Sequence, residues 1–478
     1  MSEKYDKHHS TSTEGTSNDQ PLESGFLPQV RFSTTSDSII NEALEARRTT
    51  QHDEADPFGD ESGEGVRYKA LRWWQCSLLM IAETISLGIL SLPAVISTMG
   101  FIPGVLLLAG FGVMATYTGY AVGQFKAAHP RVHSFADVGQ MIAGAWGEWI
   151  IAVAQALVFI FIMAAHILAF SIMMNVLTGH GACSIIFAAS GTILSFLLTM
   201  PRTLKSTSIF SAASCLSITA AVIITMIGVG VLRPNPHTAV MVTLPTPTTL
   251  EAYAIGMSNI VITFTGHTAY FSFISELRRP EDFPKSLSLL QSLVVTFYIV
   301  VAVVIYNYAG DTVASPALGS ASPLIRKIAY GVASPTIVVA GVVNAHVCVK
   351  NIYVRMWRGT TVMMERTVKS VGSWIGLCVF VWILAFVIAE AIPVFHELLG
   401  ILGALFCSWF SLGLPAVFWL WLNKGRWGKD WRKMSLTGLN VGIFIACAIV
   451  CVLGTYASVK AISTSSAEQK PFSCADNS

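Results

Sequence analysis

From Leu71 to Lys460 the chain alternates long apolar runs with short polar ones, a spacing set by a bilayer rather than by one face of a soluble helix. A helix needs about 20 apolar residues to cross the hydrocarbon core. Eleven stretches meet or approach that length: 71–95, 98–123, 148–177, 182–200, 207–232, 251–275, 286–309, 324–350, 370–392, 395–422 and 434–460. The fourth is short, and Pro393 in AIPVFHELLG marks a tight turn between the ninth and tenth. The pattern predicts an all-α polytopic membrane protein. Residues 67–422 form a ten-helix core, 423–462 a cytoplasmic loop and an eleventh helix, and 463–478 a short non-cytoplasmic tail.

Residues 1–66 break the pattern. They are rich in Ser, Thr, Asp and Glu, hold too few large apolar residues for a core, and carry no signal-peptide pattern. They are expected to be a disordered, solvated cytoplasmic tail. Charge sharpens the division: the tail has 14 acids and 5 bases, the rest 14 acids and 25 bases. The overall +2 therefore joins an acidic tail to a basic body. Only 12% of residues are charged, against about 25% in soluble domains. The basic residues lie in short segments between apolar runs, which suits anionic lipid head groups and not nucleic acid.

Those bases also orient the chain. With the N-terminus inside, the cytoplasmic segments hold 20 Lys and Arg and the opposite side holds five. The C-terminus then lies outside. Nine cysteines form no C-x-x-C and no His/Cys cluster, so no metal or cofactor is expected. Cys183 and Cys474 alone can share the non-cytoplasmic side, but most cysteines lie in apolar runs as small hydrophobes, and a disulfide is not expected.

Two spans are unlike the others. The first contains IAETISLGILSLP, residues 81–93, with Glu83, Thr84, Ser86, Gly88 and Pro93 within a few turns. The sixth contains ITFTGHTAYFSFISELRRPEDFP, residues 262–284, where Gly266 and His267 interrupt the run beside Thr263, Thr265 and Thr268. Backbone groups in lipid must be paired, so irregular backbone is tolerated only against protein or a wet cavity. Spans one and six open the two halves of the ten-span core. Polar, Gly-interrupted segments at equivalent places point to a transporter's midplane binding site.

ETISLGILSLP, GFIPGVLLLAGFGVMATYTGY, MPRTLKSTSIFS, GHTAYFSFISELRRPEDFPKSL and IPVFHELLGILGALFCSWFSLGLPAVFWLWL, in this order, resemble landmarks of the amino acid/auxin permease family. Within it the chain is most similar to fungal permeases for neutral aliphatic and aromatic amino acids. The resemblance runs from about Leu71 through the eleventh span and omits the tail. It implies a five-plus-five inverted-repeat core with broken helices 1 and 6, an added eleventh helix, and uptake driven by a cation gradient, commonly protons.

A zwitterionic substrate needs a partner for each pole. Free N–H groups after Ser86, Leu87, Gly88 and Ile89 start a half-helix that favours the carboxylate. Carbonyls at the broken ends, around Phe264, Thr265 and Gly266, suit the ammonium group. Thr84, Thr263 and Tyr270 complete the expected pocket, with Gly266 leaving room for side-chain bulk. Glu83 is the only acid deep in the first span and no intramembrane Asp exists, which favours a neutral substrate.

Proton-coupling candidates are Glu83, His267 and His346, with Glu390 at the outer interface. His166 in AAHILAF reads as a core histidine. In sodium-coupled relatives the eighth span offers a hydroxyl near a signature arginine, which resembles Arg355 here. This chain places His346 there, between Asn344 and Lys350, a poor host for Na⁺. H⁺ is therefore favoured over Na⁺.

The charges of SELRRPEDFPKSL read as interfacial, and Trp73, Trp74, Trp419, Trp421, Trp427 and Trp431 as aromatic belts. HELLG at 396–400 lacks the second histidine of a zinc protease, so no enzyme is indicated. The sequence thus predicts a secondary transporter importing neutral L-amino acids by proton symport, at the plasma membrane in preference to the vacuole. A transporter-like amino acid sensor, or a sodium-coupled or vacuolar carrier, is the alternative.

Overall fold

A computed structural model describes residues 71–201, 207–232, 249–357, 360, 367–465 and 470–477. The acidic tail of residues 1–66 lies outside the described residues. All regular elements among those described are helical, joined at one point by a single-residue bridge between Leu71 and Leu277.

Every apolar stretch of the sequence has become helix. The first is α1 (Trp73–Thr84), a 3₁₀ turn (Leu87–Ser91) and α2 (Leu92–Met99). Then follow α3 (Phe101–Ala128), α4 (Phe135–Thr178), α5 (Ser184–Thr199) and α6 (Thr207–Leu232). The sixth stretch is α7 (Leu250–Thr263), a short 3₁₀ turn and α8 (Tyr270–Glu276). It is followed by α9 (Phe283–Ala309), α10 (Pro323–Trp357) and α11 (Val368–Ala391). The tenth is α12 (Phe395–Leu402), two π-helical turns and α13 (Leu414–Leu422), and the chain's last helix is α14 (Trp431–Ser465).

Eight of these are long and apolar enough to cross a bilayer, or nine with the bent first pair counted as one. The count of eleven is thus not reproduced by length and hydropathy alone. The two that fall short are α5, with 16 residues, and the sixth stretch, which is broken into helices of 14 and 7. Residues 392–394 are non-helical, so Pro393 does separate α11 from α12. The helix of the third stretch begins earlier than its apolar run: a segment capped by Ser134 precedes it and joins it across a kink at Gly144, φ 68°. Only glycine adopts that backbone without strain.

The helices pack as two interleaved groups. α4 lies against α10 and α11, and α10 also against α6. α9 lies against α1, α2 and α3, while α14 covers α7 and α12. Lys460 of α14 pairs with Glu251 of α7 at 2.6 Å, a solvent-exposed contact that adds little to stability. Of the belt tryptophans, Trp73, Trp74, Trp427 and Trp431 are exposed. Trp419 is buried instead, with the Lys433 ammonium over its ring.

One expectation is overturned. Cys183 and Cys474 are joined by a disulfide. Sequence spacing could not reveal it, because the partners are 291 residues apart and meet only when the chain's end folds back. Polar contacts fix that return: Asn175 Nδ2 donates to Asn477 Oδ1 at 2.7 Å, and the Phe472 N–H donates to the Glu390 carbonyl at 3.2 Å. A protease site placed in the 423–430 turn offers a check. The two fragments should stay joined on a gel without reductant and separate with it; separation without reductant would contradict the link.

Candidate functional site

The first helix stops at Thr84 because Ser86 adopts φ −136°, ψ −147°, and the chain restarts in the 3₁₀ turn at Leu87. The two pieces are bent by 46°. At the sixth stretch α7 stops at Thr263 and helical backbone resumes at His267. Each break leaves carbonyls without a helical partner and, on its far side, N–H groups that begin a new turn.

The breaks touch each other reciprocally. A Cβ added to Gly88 would stand 3.0 Å from Thr263 Cγ2 and 3.2 Å from its Cα. A Cβ added to Gly266 would stand 2.8 Å from Thr84 Oγ1. Each glycine thus lets its own backbone lie against the threonine that ends the opposite half-helix. The space expected at Gly266 for substrate bulk is filled by Thr84 and Tyr270; the glycine serves close approach.

Tyr298 of α9 pins the crossing. Its hydroxyl lies 2.9 Å from the Thr84 carbonyl and 3.1 Å from the Thr263 carbonyl. A tyrosine has one O–H to donate, so the two carbonyls share one hydrogen. Phe264 packs edge-on against the same tyrosine, with ring centroids 5.5 Å apart.

Beside the crossing lies a cavity of about 80 Å³. A cavity needs only about 10–15 Å³ of such space to admit a water, so this one has room for several. Of the residues expected at the site, Glu83, Thr84, Ser86, Leu87, Gly88, Thr263 and Thr265 line it. Their hydroxyls already have places to donate: Thr84 Oγ1 to Met80 O at 2.8 Å, Thr263 Oγ1 to Ile260 O at 2.6 Å, and Thr265 Oγ1 to Val261 O at 2.9 Å. Thr84 and Thr263 keep their lone pairs as acceptors, while Thr265 Oγ1 already accepts from Ser411 Oγ at 3.2 Å.

The other expected residues lie behind this lining. Ile89, Phe264 and Tyr270 are buried in packing. His267 turns away to α3, its Nε2 3.0 Å from Thr118 Oγ1 and 3.1 Å from the Ala115 carbonyl. His346 faces α11, with its ring 5.7 Å from that of Trp374, and does not line the cavity. Arg355 is bonded to Glu148 of α4 at 3.0 Å.

Several lining residues were not legible as such. Ser211 and Ser214 of α6 and Asn344 of α10 enter from helices whose local sequence shows no break. His166 of α4, read as a core histidine, is buried and also forms part of the cavity wall. At the far end of the sixth stretch the bridge ties Leu71 N–H to Glu276 O and Arg278 N–H to Leu71 O, both at 3.0 Å. That links the start of the first stretch to the end of the sixth.

Two substitutions test this geometry. Tyr298→Phe removes the hydroxyl shared by the two buried carbonyls and should lower stability by about 1–3 kcal/mol, read as a fall in the thermal midpoint. Gly266→Ala should reduce handling of small and large ligands alike, since its methyl group meets Thr84; selective loss of the large ones would contradict the close-approach role.

Residues 69–460 match the family model described as transmembrane amino acid transporter protein. The "N amino acid transport system protein" of Neurospora crassa is 34% identical over 87% of this chain and 91% of its own length. A "Transmembrane transporter" of Gibberella moniliformis is 30% identical over 90% of this chain and 92% of its own. "Amino acid transporter AVT1D" of Arabidopsis thaliana is 24% identical over 78% of this chain and 67% of its own. The chain belongs to the transmembrane amino acid transporter family.

Proposed function

We propose that the chain imports neutral L-amino acids by alternating access, with the substrate held in the cavity beside the crossed breaks and protons as the driving ion. The observation that carries this reading is the pairing, in one cavity, of opposite backbone polarities. The turn after Ser86 presents N–H groups for a carboxylate, and the ends of α1 and α7 present carbonyls for an ammonium group. Thr84, Ser86, Leu87, Gly88, Thr263 and Thr265 are the contacts proposed for the zwitterion. Among the lining residues Glu83 is the only acid and there is no Lys or Arg, which fits a substrate without net charge.

Glu83 is proposed as the coupling carboxylate. It makes no side-chain hydrogen bond or ion pair among the described residues, and an unpartnered carboxylate at this depth needs a proton or a counter-charge. The family membership supports an amino acid as the cargo. For topology, the proposed inside N-terminus rests on the Lys and Arg bias. A disulfide persists in oxidising compartments, so the Cys183–Cys474 link supports placing both cysteines on the non-cytoplasmic side of the membrane, which we propose is the plasma membrane.

The test is uptake of labelled neutral amino acids into proteoliposomes under an inward proton gradient and, separately, a sodium gradient. Accumulation with protons, lost in Glu83→Gln while substrate still binds, is the expected result. Accumulation with sodium alone would overturn the proton reading. Binding without accumulation under either gradient would favour a sensor.

A further inference from the structure

His166 is 3% exposed, yet it belongs to the cavity wall. Its Nδ1 lies 2.9 Å from the Ile337 carbonyl of α10. A carbonyl only accepts, so Nδ1 carries the hydrogen, and in the neutral ring Nε2 keeps a free lone pair. Among the described residues no protein group takes up that Nε2. The ring is held in a fitted niche. A Cβ added to Gly341 of α10 would stand 3.1 Å from His166 Cβ and 3.3 Å from its Cγ. A histidine kept only for packing would be expected to have both nitrogens used or both buried from any cavity. Here one nitrogen fixes the tautomer and the other is left for what the cavity contains.

Glu83 lines the same cavity from α1. These two are the titratable side chains of the lining: α6 brings Ser211 and Ser214, α10 brings Asn344, α7 and the break after it bring Thr263, Thr265 and Thr268, and α12 brings Leu399 and Leu402. Two other buried histidines, His267 beside Thr118 and His346 beside Trp374, do not line the cavity.

Resting on the proton-coupled reading above, we propose that Glu83 and His166 share the coupling proton, one from each side of the cavity. Glu83 is carried by α1 next to the break, whereas His166 is carried by α4 within the group formed with α10 and α11. When the carboxyl O–H breaks and an Nε2–H bond forms, a neutral pair becomes a carboxylate and an imidazolium; the reverse step restores it. Net charge is unchanged by this exchange. One proton enters the pair from one side of the membrane and leaves it on the other; because the two groups are not in hydrogen-bond contact, the exchange passes through water in the cavity they line, each water gaining one O–H bond as it gives up another. The state of the pair therefore depends on how α1 stands relative to α4, which is the motion alternating access requires.

Two substitutions separate the roles of the nitrogens. In His166→Asn the amide nitrogen replaces Nδ1 and retains the bond to Ile337 O, but nothing replaces Nε2. This variant should keep a normal thermal midpoint and slower substrate counterflow, yet lose uphill accumulation under a proton gradient and the pH dependence of substrate affinity. Gly341→Ala keeps the imidazole but crowds it, and should shift the pH midpoint of uptake. Wild-type accumulation with sodium alone would defeat the proton reading itself. Proton-driven accumulation in the wild type, undiminished in His166→Asn or with an unmoved midpoint in Gly341→Ala, would overturn this inference alone. Loss of counterflow in a folded His166→Asn protein would also overturn it, by making His166 a substrate ligand.

Discussion

One hydroxyl serves two carbonyls at the centre of this protein. Where α1 and α7 end, the Thr84 and Thr263 carbonyls have lost their helical donors, and Tyr298 lies within hydrogen-bond distance of both. A broken helix in lipid is tolerable only if such groups are satisfied by protein, water or ligand. The crossing meets that demand sparingly. The glycines bring the breaks together, the tyrosine covers part of the freed polarity, and the rest faces a small wet cavity. Polar backbone left over from two breaks is what the proposed zwitterionic substrate would complete.

The architecture was readable because lipid imposes a simple rule on sequence. Apolar runs of helical length marked each element, and the two runs with glycine and hydroxyl residues marked the breaks. The seven lining residues foreseen at Glu83, Thr84, Ser86, Leu87, Gly88, Thr263 and Thr265 all come from those two runs. What escaped came from stretches that are helical without a break at the residues concerned. Ser211, Ser214, Asn344 and His166 sit in ordinary-looking sequence, and only the angle at which α4, α6 and α10 meet the crossing turns them towards the cavity. The same limit explains Gly266, whose missing side chain could mean room for substrate or room for a neighbour. Sequence does not choose between these, whereas Thr84 at 2.8 Å does.

The chain's end escaped for a different reason. The disulfide and the Asn175–Asn477 contact fasten residues 472–477 across the ends of α4, α5 and α11, while α14 itself packs on α7 and α12. The final helix and its extension thus touch both the helix that carries a break and the group that carries His166. Nothing in a local window of sequence encodes a partner 291 residues away.

The most direct measurement is a structure determined with a bound neutral L-amino acid. Its carboxylate should lie against the N–H groups that follow Ser86, and its ammonium group near the ends of α1 and α7, within reach of the Thr84 and Thr263 carbonyls. Density for the ligand away from the crossing, or bound with its poles reversed, would contradict the view that the two broken helices form the site.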